Sequence, residues 1–281
     1  MMEEVSEKKK KIEIVFDKIK KGITEIIKSG EYEKFLKFSK NFHSYSFNNM
    51  VLIYIQMPTA TKVAGFKTWQ KMGRKIKYGA KGIQIIYPIK QKYEKKVLDN
   101  DEEKREVIEY ITYRATYVYD ISQTTGKKLP FENEVMNTNT KNDLFYNLCA
   151  FSPFQIKENE GLGKVQGYWN PKEKCIVLNK MLSIDDKAST LLHELTHAFY
   201  DDFNYKSERN LSETFVESVA YIVANHFGLD TSNCSFKYIL SWIDGDINIL
   251  LELGEKIQKT ANEFIKRLEN YMEIENIKVA G

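Results

Sequence analysis

Two of the four histidines in this 281-residue chain stand four apart, with a glutamate beside the first, in the run His193-Glu194-Leu195-Thr196-His197. On a helix that spacing puts both imidazoles on one face, where they can meet one metal ion with Glu194 placed next to it. A catalytic zinc ion takes three protein ligands and leaves the fourth position to water, so a third ligand must come from elsewhere in the chain. Glu213 and Glu217, again four apart, offer two carboxylates on one face of the following helical run, and either can complete the set. Glu194 is then the catalytic residue, positioned to take a proton from water and pass it to the leaving amine of a peptide.

Three elements have to hold these groups. The first is a helix beginning near Ser183, which Ser183 or Asp185 can cap and whose first turn is acidic. The second spans Ser212 to Gly228, with Ser212 as N-cap and Gly228 as C-terminal stop. The third is a two-stranded hairpin just upstream, Gly163 to Trp169 returning as Lys174 to Asn179, which could act as ordinary core or as an edge that takes an extended peptide. The order of the two carboxylates is similar to that of thermolysin-like zincins. That resemblance makes Glu213 the third ligand and Glu217 the carboxylate that orients a ligand histidine, with exchanged roles as the nearest alternative. Tyr200, Tyr205, Tyr221 and His226 are candidate oxyanion donors that the sequence does not rank.

The charge is divided along the chain. Residues 1–130 carry 27 Lys and Arg against 16 Asp and Glu, whereas the remainder carries 15 against 23, under a net charge of only +3. From Lys34 to Tyr93 there is no acidic residue at all, and aromatic residues are interleaved with the cations. Such a stretch supplies planes for unstacked bases beside charges for phosphate, which points to single-stranded nucleic acid. We expect contacts from Lys67, Trp69, Lys71, Arg74, Lys75, Lys77 and Lys81, with His43 and Tyr45 as further candidates. Many of the aromatic residues must instead build the core of a small domain.

The length favours two units of ordinary size. We expect a first domain over 1–130, a linker over 131–142 and a second domain over 143–281. The periodicity predicts an amphipathic helix over the first 30 residues, helices near 31–41 and 47–56, and strands from Ile83 and Tyr113. The charge-dense stretch between those strands is expected as an exposed excursion. The start lacks the apolar core of a signal peptide and no run approaches bilayer-spanning length, so a cytoplasmic protein without a membrane partner is expected. Three scattered cysteines, Cys149, Cys175 and Cys234, suggest neither a disulfide framework nor a cysteine zinc site.

Several stretches resemble a known family. The segments from Phe42 (Phe-His-Ser-Tyr-Ser-Phe-Asn-Asn-Met), Val63, Lys81 and Tyr119 look like the N-terminal domain of ArdC-like antirestriction proteins, closest to the LtrC-type branch of conjugative elements. The zinc motif, the run from Glu213 and Tyr238-Ile-Leu-Ser-Trp242 resemble that family's C-terminal metallopeptidase-like domain. The resemblance implies an α+β protein: N-terminal helices with a small antiparallel sheet, then a zincin-like domain with a β-hairpin and the zinc-motif helix. It implies single-stranded DNA binding, a zinc ion (Zn2+), a metallopeptidase with a protein or peptide substrate, and a role in protecting or establishing transferred DNA. One departure concerns Ser39 to Asn49, where ArdC proteins usually carry a proline- and glycine-containing segment. The alternatives are a non-catalytic DNA-binding protein with structural zinc, and a metallopeptidase that cleaves a repressor-type regulator.

Overall fold

The computed structural model describes residues 2–99, 102–129, 140–202, 205–229 and 247–280, without the side chains of 2–11, 93–99, 102–106, 140–143, 205–207 and 275–280. The expected linker lies outside the described residues as far as 139, as do Cys234, the Tyr238–Trp242 segment and the side chain of Tyr205.

Two units emerge, and neither is a continuous stretch of chain. The first combines Met1–Gly22 with Val51–Lys127, the second Ile23–Met50 with Lys128–Gly281. Residues 23–50, expected in the N-terminal domain, therefore group with the C-terminal part. Their side chains give the reason: Phe35, Leu36, Phe42 and Phe47 are buried there, and the Tyr32 hydroxyl lies 3.2 Å from that of Ser218.

In the first unit, the leading part of helix α1 (Met2–Lys28) packs on the latter part of α3 (Phe47–Gln56). Gly22 lets them approach, since a Cβ there would sit 2.9 Å from Ile55 Cγ2. Strands β1 (Val63–Ala64), β4 (Glu102–Asp120) and β3 (Ile83–Asp99) form an antiparallel sheet in the order β1-β4-β3. The expected strands from Ile83 and Tyr113 are present, but the charged excursion is itself ladder. Pairing continues without a bulge to Asp99 opposite Glu102, because antiparallel hydrogen bonds between backbones need no apolar side chains. Helix α4 (Phe66–Lys71) and the small pair β2 (Arg74–Ile76) and β5 (Thr124–Gly126) complete the unit.

The second unit has a three-stranded sheet in the order β6-β8-β7, with β6 (Gln155–Asn159) parallel and β7 (Gly167–Asn170) antiparallel to the central β8 (Cys175–Asn179). The expected hairpin is β7–β8, and β6 was not foreseen. Central placement suits β8, whose five residues are all buried. Around the sheet are α2 (Tyr32–Ser39), the first turn of α3, α5 (Thr140–Phe151), α6 (Ile184–Tyr200), α7 (Tyr205–His226) and α8 (Ile247–Ala280). No helix of the described residues is long and apolar enough to cross a membrane.

Candidate metal centre

Helix α6 begins as its sequence requires. Ser183 Oγ accepts the Asp186 N–H at 3.2 Å, and Asp185 and Asp186 occupy the positive end of the helix. Ten residues on, His193 and His197 leave one face with their Nε2 atoms 3.2 Å apart. Helix α7 runs back past them and brings Glu213 Oε2 to 3.6 Å from His193 Nε2 and 3.9 Å from His197 Nε2. Among the described residues this trio is the one group of His, Cys, Asp or Glu whose ligand atoms converge, all within 4.8 Å of one another.

Such a triangle fits a divalent ion. Zinc bonds of about 2.0–2.2 Å in tetrahedral geometry separate neighbouring ligand atoms by about 3.3 Å, near the three edges observed. The protonation states fit as well. Burial pushes the pKa of His193 down to about 3, so its ring is neutral. The Nδ1–H of His197 donates to Asp201 Oδ2 at 2.7 Å, which leaves the Nε2 lone pair facing the other ligands.

That last contact adds a residue the sequence reading did not single out. Asp201, at the C-cap of α6, is the carboxylate that orients His197, and Glu217, expected to orient a ligand histidine, stands one turn beyond Glu213 on α7. Asp201 was open to detection, since it follows His197 by four residues. Ser212 differs from its expected role. Helix α7 starts at Tyr205, with a non-helical residue at Glu208 (φ −124°, ψ 25°), so Ser212 lies inside the helix. Its hydroxyl donates to Asp201 Oδ2 at 2.6 Å instead of capping. Gly228 does end α7 as expected, with φ +79° and the Leu229 N–H reaching back to Ala224 O at 2.9 Å.

Glu194 points towards β7, where its Oε2 accepts the Trp169 N–H at 2.7 Å. Burial raises its pKa, against the lowering effect of His197 and of that hydrogen bond. The close crossing of β7 over α6 depends on Gly167, where a Cβ would lie 2.8 Å from Thr190 Cγ2 and 2.9 Å from Val177 O. Because Asn179 donates to Gln166 O, the even-numbered residues of this strand face β8, and Gly167 and Trp169 turn their backbone groups outward.

Of the oxyanion candidates, Tyr200 lies one turn past His197, and its hydroxyl accepts from Arg267 Nη1 at 2.8 Å. Tyr221 and His226 stand about 12 and 20 Å further along α7 than Glu213. They bond Glu33 and Glu269 instead.

The expected nucleic-acid contacts divide. Trp69 is fully buried and its indole N–H donates to Tyr119 O at 2.8 Å, so it is a core residue and not a stacking plane. Arg74 is buried too, its guanidinium bonded to Thr124 Oγ1 at 2.7 Å and to the Lys127 carbonyl. Both assignments are corrected for one reason: a small unit spends its large side chains on its interior. Lys67, Lys71, Lys75, Lys77 and Lys81 are exposed, although the Lys77 ammonium bonds Ser122 O. His43 and Tyr45 are half-buried in the other unit, where Phe42 and His226 contact them.

Two family models match the chain, the N-terminal domain of anti-restriction factor ArdC over residues 6–119 and the IrrE N-terminal-like domain of the M78 peptidases over residues 153–232. The chain joins an ArdC-type N-terminal domain to an IrrE-like peptidase M78 domain. The fold of the antirestriction protein ArdC from plasmid R388 is similar in two crystal structures. Its metal-free structure superposes with a TM-score of 0.52 at 16% identity over 80% of this chain and 86% of that one. The Mn(II)-bound structure gives 0.51 at 16% over 81% and 88%. A Bacillus anthracis protein, pXO2-81, is 28% identical over 95% of this chain. The chain spans about half the length of that relative, 52%. The α+β expectation and the zincin-like character of the second part hold for this ArdC-like, M78-containing chain.

Proposed function

We propose that this ArdC-like protein is a zinc-dependent metallopeptidase whose N-terminal part holds single-stranded DNA, and that it protects or establishes transferred DNA. The observation that carries the enzymatic half is the triangle of His193, His197 and Glu213 with Glu194 beside it. The Mn(II) in R388 ArdC supports a divalent ion for this donor set, and two imidazoles with one carboxylate suit zinc. An ion bound there would polarise a carbonyl and make a coordinated water acidic.

This chain's own groups supply the rest. Asp201 fixes the His197 ring, and Trp169 anchors one oxygen of Glu194, leaving Oε1 to take a proton from the attacking water and deliver it to the leaving amine. Burial strengthens Glu194 as a base for that step. The outward N–H and C=O of Gly167 and the C=O of Trp169 suit a peptide strand added to β7. For the DNA half, the support is the acid-free run from Lys34 to Tyr93, with exposed lysines at 67, 71, 75 and 81.

The test is Glu194→Gln in the full chain. It should bind zinc or manganese as the unaltered protein does and lose proteolysis by about a hundred- to ten-thousandfold. Undiminished proteolysis would take the base role away from Glu194, and biological protection that survives the loss of proteolysis would leave the ion as a staple between α6 and α7.

A further inference from the structure

We infer that the middle of one face of the β3–β4 hairpin, carrying Tyr87, Tyr110 and Arg114, is the platform on which unstacked bases of a single strand are held. The inference rests on the nucleic-acid reading of the first unit and assigns it a surface apart from the basic loop at 71–82.

Register decides which side chains share the face. Residues directly opposite in an antiparallel pair point the same way, and the pairing from Ile83 opposite Val118 to Gln91 opposite Tyr110 has no bulge. One face therefore carries Gln84, Ile86 and Pro88 with Tyr117, Ala115 and Tyr113. There α1 is seated: the Phe16 ring meets Tyr113 edge to face at 5.4 Å, and Lys18 Nζ donates to Gln84 Oε1.

The opposite face is closed at its base, where Ile83, Ile85 and Val118 are buried, and opens outward from Tyr87. Tyr87 is 40% exposed and stands directly across from the exposed Arg114, and Tyr110 is 41% exposed across from Gln91. Four residues of strand place the two phenol rings about 13 Å apart along the hairpin. A guanidinium flanked by aromatic rings serves a base in two ways, as a second stacking plane and as a phosphate donor.

Charge favours a nucleic-acid strand over a protein as the occupant. No acidic side chain shares this face among the described residues, whereas the α1 face carries Glu109 paired with Lys92. Tyr87 and Tyr110 also resolve a difficulty left by the loop. Trp69 and Arg74, its expected plane and fork, are both interior, which leaves the loop's lysines with a single exposed ring, Tyr78, where the hairpin face offers two rings and a guanidinium. Sheet-borne aromatics that receive bases from a single strand are a known solution for small nucleic-acid-binding domains.

The test is binding of the full chain to a fluorescein-labelled single-stranded oligothymidylate, followed by anisotropy. Tyr87→Ala and Tyr110→Ala should each weaken binding about five- to a hundredfold, with Tyr87→Phe and Tyr110→Phe close to the unaltered protein. Tyr117→Ala, on the α1 face, should change it less than about twofold. Unchanged thermal unfolding of the alanine variants excludes misfolding as the cause. If the unaltered chain binds the oligonucleotide and both alanine variants bind equally well, the platform is overturned while the DNA reading stands, and the face is left to a protein partner. If the unaltered chain does not bind, the DNA reading itself falls.

Discussion

Ser212 donates its hydroxyl to Asp201 Oδ2 at 2.6 Å, and the same oxygen receives the Nδ1–H of His197 at 2.7 Å. The end of α6 and the middle of α7 are thus tied by one carboxylate, one residue before Glu213. Orientation of a ligand ring and registry of the two helices become a single arrangement.

From that arrangement we expect Asp201→Ala to weaken divalent-ion binding by about ten- to a hundredfold, the range over which such supporting carboxylates act. Asp201→Asn, which can still accept from Nδ1–H, should lose less, and Ser212→Ala less again. Titration of zinc into the apo protein reads this directly. Equal affinity in Asp201→Ala and the unaltered chain would show that Asp201 has no part in holding the ring.

The ligand histidines were legible because a helical period alone puts positions 193 and 197 on one face, whatever the rest of the chain does. The first contact of Glu194 was not, because the Trp169 N–H reaches it only through the register of β7 on β8 and the crossing of that strand over α6. Asp201 was passed over because spacing does not say which carboxylate lies beside His197 Nδ1. Trp69 and Arg74 were misread for another reason. Composition marks a basic, aromatic stretch but cannot tell the side chains that fill it from those that coat it. Likewise, residues 23–50 read as N-terminal by position, and only their burial shows that they belong to the second unit.

Gly167 sets the distance between β7 and α6. In Gly167→Ala the new methyl would press on Thr190 Cγ2, Val177 O and Leu178 Cδ2. Two of those neighbours are side-chain methyls that can shift, but the carbonyl belongs to the central strand. We expect a loss of about 1–3 kcal/mol, read from the midpoint of denaturant unfolding. Displacement of β7 would also stretch the Trp169–Glu194 bond, so proteolysis should fall further than stability explains. A variant as stable and active as the unaltered protein would show that the crossing has slack.

Arg74 and Lys75 are neighbours in sequence with opposite expected phenotypes. Arg74→Ala abandons Thr124 and the Lys127 carbonyl in a buried setting and should cost about 1–3 kcal/mol of stability. Lys75→Ala removes an exposed cation and should leave thermal unfolding within about 0.5 kcal/mol of the unaltered chain while reducing the salt dependence of DNA binding. Were Arg74 a phosphate contact instead, its removal would mirror that of Lys75.

Residues 23–50 should matter to the metal site through the packing they give its unit. Glu255 of α8 accepts the N–H groups of Phe47 and Asn48, two donors that the start of α3 would otherwise leave open. The Phe47 ring also lies against Gly254, where a Cβ would come within 2.5 Å of ring atoms, and it packs edge to face on Phe35. Glu255→Ala should cost about 0.5–2 kcal/mol, as loss of a helix cap does. Gly254→Ala should cost more, since the ring is held on its other side. Because the same unit carries His193, His197 and Glu213, saturating zinc should restore part of the lost thermal stability in both variants, by the linkage between binding and folding. Zinc that stabilises the unaltered chain but leaves the unfolding of Gly254→Ala unmoved would separate the 23–50 segment from the metal-binding unit.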